Sequence, residues 1–231
     1  MVVYALEQRF AKWACAWLTE DANFYEKIIF SDEAHFDLGG YVNKKICGIW
    51  GTENLHAYNQ KQKHPKRVTG WCRFWSRGII GSFFYENEQG EAVTVNGDRY
   101  RAMLNEFLFT KIEEQDIGNI WFQHDRATCH TAEATLDVLR RVFEDRIISR
   151  IADVVRRCDL TPLEYYLWGA VKDKCYADKP ETIDALKDNM REAIAEIQLH
   201  KIDNVFKNCT DRVGYCMASR GSHLNEIIFH Y

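Results

Sequence analysis

The segment NIWFQHD (119–125) sets apolar and aromatic residues ahead of a terminal carboxylate, and KIIFSD (27–32) does the same earlier in the chain. Each has the length and the β-branched or aromatic content of a buried strand, one ending in Asp125 and the other in Asp32. An acid at the end of a buried strand sits at the rim of a sheet, where α/β proteins commonly bind ligands. Two such carboxylates on neighbouring strands repel each other unless a cation lies between them. Carboxylate oxygens are hard donors that suit Mg2+ or Mn2+. Aspartate also serves as a strand-end turn former that caps nearby backbone N–H groups, so periodicity alone leaves both readings open.

Outward from these two strands the pattern is α/β. HFDLGG (35–40) suits a second strand with a glycine turn, and Ile46–Trp50 a third. Residues 51–67 read as a loop, the most basic in the chain, with Lys61, Lys63, Lys66 and Arg67. VTGWCRFWSRGIIGSFFYE (68–86) reads as two strands joined by a turn. Residues 93–109 pass from a short strand through Asn96-Gly97 into a helix; 131–143 is a helix and 146–150 a strand. Three helices follow: one from Pro162, one from about Pro180 to Ile197, and one over 202–217. An amphipathic helix over 4–20 precedes everything. The expectation is a mixed sheet flanked by helices around one unbroken core, with residues 1–25 leading into a domain over 26–231.

The bulk properties narrow the function. The 231 residues carry a formal net charge of −4, whereas free-standing DNA-binding domains are usually basic, so nucleic-acid contact has to use local patches. No apolar run approaches the ~20 residues that cross a bilayer. Eight cysteines form no C-x-x-C pair, and the charged N-terminal stretch is no signal peptide. Both point to an intracellular protein with reduced thiols. Cys129-His130 has no matching second pair and is not a metal site. His124 and His130 flank Asp125 and suit packing, or the orientation of a phosphate or water. Trp71, Phe74 and Trp75 suit core packing before base stacking.

A third carboxylate lies in CDLTPLEYYLWG (158–169). Thr161 suits an N-cap, Pro162 the first helical position, and Glu164 the third residue after the cap, which together make a capping box. Glu164 therefore has a structural role available to it, and Asp159 is a rival acid.

Taken together, SDEAHF (31–36), WFQHDRATCHTA (121–132) and CDLTPLEYYLWG (158–169) resemble the transposases of the Tc-mariner superfamily, the mariner-like branch above all. VTVNGDRYRAML (93–104) and ASRGSHLNEIIFH (218–230) extend the resemblance over nearly the whole chain from about residue 26. It implies a ribonuclease H-like catalytic domain in which Asp32, Asp125 and Glu164 form an acidic triad that binds two Mg2+ or Mn2+ ions. It moves Asp159 to a supporting role. The implied chemistry is hydrolysis of a DNA phosphodiester followed by attack of the freed 3′-hydroxyl on target DNA. The implied partners are the double-stranded transposon ends and target, and a second copy of the chain; the implied location is the nucleus.

Three departures accompany the resemblance. The paired helix-turn-helix units that normally precede this domain are not in the sequence, which reads as a fragment or truncated copy. Arg126 stands where relatives carry a small glycine, able to pair with Asp125, compete with metal or contact phosphate. The stretch before 158 is short, and Glu164 replaces the aspartate of the nearest relatives. A carboxylate displaced by ~1 Å costs about a hundredfold in rate, so these departures suggest a decayed copy. Two other functions remain: an inactive, domesticated remnant that binds DNA or protein, and a ribonuclease H-like nuclease acting on RNA in hybrids.

Overall fold

The computed structural model describes residues 12–40, 66–112, 119–148 and 161–218. A helix over 12–20 (α1) leads through a 3-10 turn (Phe24–Lys27) into β1 (Ile28–Asp37). The hairpin of β2 (Arg67–Trp75) and β3 (Gly78–Phe84) follows. α2 (Gly97–Met103) runs on through a π-helical stretch (Leu104–Phe109) into a last turn, α3 (Thr110–Ile112). Then come β4 (Trp121–Gln123), α4 (Thr128–Thr131), α5 (Glu133–Phe143) and β5 (Ile147–Ile148). A second π-helical stretch (Leu163–Leu167) opens α6 (Trp168–Cys175), and α7 (Ile183–Ala195) and α8 (Leu199–Ala218) complete the described chain.

The five strands make one mixed sheet in the order β3-β2-β1-β4-β5. β1, β2 and β3 pair antiparallel, while β4 and β5 add parallel to β1. Side chains alternate across a strand, and both faces are covered. Ile28, Phe30, Ala34 and Phe36 pack with Leu163, Leu167, Trp168 and the buried sides of α7 and α8. Ile29, Trp71 and Phe122 pack with Tyr100 and Met103 of α2 and with Leu136, Leu139 and Phe143 of α5. Trp71, Phe74 and Trp75 are fully buried, which gives them to the core. Burying each ring stabilises the fold by roughly 1.5–3 kcal/mol.

Most of the expected elements form, with two corrections. KIIFSD and HFDLGG are not two strands but one, β1. Nothing between Asp32 and His35 turns the chain, and Ala34 and Phe36 carry on the buried alternation. No strand forms over 93–95; the chain there makes only the isolated bridge Glu86–Ala92 before Asn96 caps α2 by accepting the Arg99 N–H. Ile46–Trp50, Lys61, Lys63, Cys158, Asp159, residues 4–11 and 149–150, and the motif beyond 218 lie outside the described residues. Among the described residues, Cys15, Cys72, Cys129, Cys175 and Cys209 are free thiols, and no helix is long and apolar enough to cross a membrane.

Candidate active site at the sheet rim

β1 and β4 run side by side in a register that pairs Ile28 with Trp121, Ile29 with Phe122 and Phe30 with Gln123. Asp32 and Asp125 each lie two residues beyond the last of these pairs. Of the two strands, however, only β4 stops there. β1 continues to Asp37 because β2 goes on pairing with it, with Asp32 opposite Cys72. Asp32 is therefore an acid inside a strand, only 5% exposed. The rim beside it exists because β4 is short.

The third acid arrives on a helix. The Trp168 indole Nε1 donates to Asp32 Oδ2 at 3.1 Å in a buried contact. Trp168 closes the π-helical stretch by donating its backbone N–H to the Leu163 carbonyl, and Glu164 sits half-buried one turn earlier on the same helical run. Short π-helical stretches occur frequently at functional sites. Buried Leu163 and Leu167 seat this one on the sheet. The first turn closes through the N–H groups of Glu164 and Tyr165, which donate to the Thr161 carbonyl at 3.0 and 3.2 Å.

Asp125 performs the local role that its position allows. Its Oδ1 accepts the Ala127 N–H at 2.9 Å, turning the chain from β4 into α4. The same oxygen lies 2.5 Å from His130 Nδ1, and His130 Nε2 lies 3.3 Å from Glu33 Oε1. The side chains of His130, Glu33 and Asp125 are 3%, 14% and 17% exposed. Burial disfavours charge on His130, but the carboxylates of Asp125 and Glu33 outweigh it and push the pKa up to about 10. The His124 ring stacks on His130 at 5.2 Å, with an interplanar angle of 11°. Burial and then repulsion from His130 hold His124 down at about 3, against the pull of Asp125. Tyr100 Oη lies 3.2 Å from His124 Nδ1, and its ring centroid lies 4.1 Å from that of His130. Burial and the Glu33 charge raise the Tyr100 hydroxyl well above its ordinary range.

His124 and His130 are thus both buried, and His130 is bonded to the acid it follows. Sequence reading missed Glu33, Tyr85 and Tyr100. Glu33 was findable, since an acid beside Asp32 in a strand projects from the opposite face. The two tyrosines come from distant segments that carry no motif. Arg126 is exposed, and of the three roles open to it the pairing with Asp125 does not form among the described residues; His130 bonds to Asp125 instead. Cys129 offers its carbonyl to the Thr135 hydroxyl at 2.7 Å. Arg67 begins β2 with its side chain exposed, and the Lys66 carbonyl accepts from Leu38.

Among the described residues, no three His, Cys, Asp or Glu side chains are grouped closely enough to hold a metal as they stand. Asp32 is turned onto Trp168 and Asp125 onto His130. The donor set itself, all carboxylate oxygens, is that of a hard divalent cation. The strand register places Asp32 and Asp125 side by side at the sheet rim, and the π-helical stretch that carries Glu164 packs against β1.

No protein-family model matches the chain. The Tc3 transposase of Caenorhabditis elegans is 22% identical over 203 residues, which cover 87% of this chain and 58% of Tc3. The chain therefore spans a little over half the length of that relative. A Mos1 transposase paired-end complex with the left transposon end superimposes with a TM-score of 0.76 at 18% identity, over 96% of this chain and 63% of that one. The Mos1 catalytic domain with raltegravir and Mn superimposes with a TM-score of 0.74 at 16% identity, over 97% of both chains. Another structure of that domain contains Mg. The expected ribonuclease H-like architecture, a mixed sheet flanked by helices, is the one the Mos1 domain shares with this chain. The chain is a sequence relative of Tc3 transposase that carries the fold of the mariner transposase catalytic domain.

Proposed function

We propose that the chain cleaves and transfers DNA strands, with Asp32, Asp125 and Glu164 holding Mg2+ or Mn2+ at the sheet rim. One observation carries this reading: Asp32 and Asp125 stand two residues past the same pair, Phe30 and Gln123, on adjacent parallel strands. Trp168, one turn after Glu164, bonds to the first of them. All three residues are hard oxygen donors, and two ions on such a set activate an attacking oxygen and stabilise a leaving one. The chain's own residues bind and orient. Trp168 holds Asp32, His130 holds Asp125, and exposed Arg126 beside Asp125 is suited to a DNA phosphate. The kinship with Tc3 and the DNA-bound Mos1 complexes of the same fold support double-stranded DNA as substrate. Assembly as a dimer and action in the nucleus belong to the same proposal.

A divalent-cation titration tests it. Mn2+ is expected to raise the melting temperature of the wild-type chain, by the stabilisation that any ligand of the folded state confers, and Asp125→Ala is expected to abolish the rise. Wild-type cleavage of duplex DNA in Mn2+ completes the reading. A chain whose stability ignores Mn2+ and which cuts nothing is a binding module. Preference for an RNA–DNA hybrid makes it a different nuclease.

A further inference from the structure

Glu33 follows Asp32 directly, and in an extended strand neighbouring side chains leave on opposite faces. Asp32 meets Trp168 on one side, while Glu33 lies 3.3 Å from His130 Nε2 and 3.5 Å from the Tyr85 hydroxyl on the other. The second nitrogen of His130 lies 2.5 Å from Asp125 Oδ1. One buried imidazole therefore spans the gap between Glu33 of β1 and Asp125 beyond β4, hydrogen-bonded to Asp125 through Nδ1 and within ion-pair distance of Glu33 at Nε2, which makes no hydrogen bond of its own. Its ring plane has little freedom, being held between Tyr100 at 4.1 Å and His124 at 5.2 Å. An imidazole packed between two rings, with a carboxylate 3.3 Å from its Nε2, presents its Nδ1 in one direction, and Asp125 meets it there.

We propose that Glu33, acting through His130, is a positioning residue that sets the orientation of the Asp125 carboxylate at the rim. The inference rests on the proposed reading of Asp125 as a metal-binding carboxylate. The strand that supplies Asp32 then also supplies the brace for Asp125, so the separation of the two acids follows the geometry of β1 and not the turn after β4 alone. Partners that hydrogen-bond a ligating group typically account for 10–100-fold in metal affinity. The rival is a purely structural role, in which the buried contact only ties α4 to β1; that role affects melting but not cation binding.

The test is Mn2+ affinity, read from the electron paramagnetic resonance of the free ion, with circular dichroism reporting the fold. Glu33→Gln is expected to weaken Mn2+ binding about 10-fold and His130→Ala between about 10- and 100-fold. The double variant is expected to be no weaker than His130→Ala, because Glu33 acts through the ring. His130→Asn keeps an N–H donor for Asp125 but does not reach Glu33; it is expected to match Glu33→Gln and serves if the alanine variant fails to fold. Wild-type affinity in folded Glu33→Gln or His130→Asn overturns the inference and leaves the metal reading standing. So do losses that simply add in the double variant. A wild-type chain that binds no Mn2+ overturns both.

Discussion

The two halves of the sheet are built to different standards. On one side of β1, β2 pairs with it residue by residue from Phe30–Phe74 to Asp37–Arg67, and β3 extends the hairpin. On the other side, β4 pairs over three positions and β5 over two. In the antiparallel half the β1–β2 pairing is unbroken, β2 and β3 slip register once, between Trp71 and Cys72, and the tryptophans are buried; the parallel half stops early and releases the chain at Asp125. That difference makes the rim on which the proposed site rests. A longer β4 would carry Asp125 along the flank of β1 and cover Asp32. A short one leaves a step in the sheet, with one acid on the tread and the other at the lip. The antiparallel half is thus expected to govern stability and the parallel half chemistry, and substitutions can separate the two.

The largest effect is expected at the step. Asp125→Ala removes a carboxylate proposed to hold metal, and strand cleavage in Mn2+ is expected to fall by at least about 10³-fold, the scale for losing one dominant electrostatic contact in a reacting site. The sheet should persist, since Asp125 lies outside its pairing, but at a lower melting temperature, because the Ala127 N–H and buried His130 lose their acceptor. Cleavage of a duplex oligonucleotide, with circular dichroism alongside, reads both. Activity retained in the folded variant would remove the distinction between the halves.

Trp71→Ala reverses the pattern. Trp71 is fully buried in the antiparallel half, with Phe107 at 6.2 Å edge to face. Truncating a buried tryptophan costs about 3–5 kcal/mol, which for a chain of this size lowers the melting temperature by about 10 °C. Below the new midpoint, cleavage by the folded fraction should match wild type. A loss of activity exceeding the loss of folded protein would mean that the hairpin also shapes the rim.

Both halves were unequally legible in the sequence. The hairpin declared itself through dense aromatic and β-branched residues around a Ser76-Arg77 turn, because local propensity and burial agree there. NIWFQHD was legible as a strand but not in its length: Ile120 and His124 are as buried as strand residues, yet pairing ends at Gln123 because the chain must turn at Asp125. KIIFSDEAHF misled in the opposite direction. Its acid suggests an end, but only long-range pairing with β2 decides that the strand continues. Asp32 and Asp125 stood out as acids at strand ends and Glu164 as a capping-box acid, while their grouping as one metal-binding triad is what the motif resemblance implied, and periodicity alone does not carry it. The Glu33–His130 contact was invisible because it joins segments far apart in sequence, and such contacts follow from topology.

The two stacked histidines give the comparison a pH dependence. His130, folded at about 10 against an ordinary value near 6.5, contributes stability that is complete below pH ~6.5 and lost as pH rises through 10. His124, held at about 3, acts in the opposite sense: its contribution is present above pH ~6.5 and lost as pH falls towards 3. Stability should therefore decline on both sides of neutrality, with a slope approaching ~1 kcal/mol per pH unit on each limb. His130→Gln should flatten the alkaline limb and His124→Gln the acid one, as read by urea unfolding at stepped pH. Trp71→Ala should lower the whole curve without changing its shape. A Trp71→Ala curve that loses either limb would show that the hairpin controls the histidine pair.

The smallest effects distinguish the halves by location and not by size. Asn96 caps α2 by accepting the Arg99 N–H at 2.9 Å, and Thr182 caps α7 by accepting the Ala185 N–H at 3.1 Å. Replacing either by alanine is expected to cost about 1 kcal/mol, the usual penalty for leaving a helical N–H without its partner. The two helices serve different regions, however. α7 packs on β2 and β3, whereas α2 carries Tyr100, four residues past its cap, against His124 and His130. Equal losses on urea unfolding should therefore accompany unequal changes in the imidazole nitrogen resonances of the two histidines, which shift in Asn96→Ala and stay in place in Thr182→Ala. Shifts of similar size in both variants would mean that the rim responds to global stability, and that the step in the sheet does not insulate the site from its scaffold.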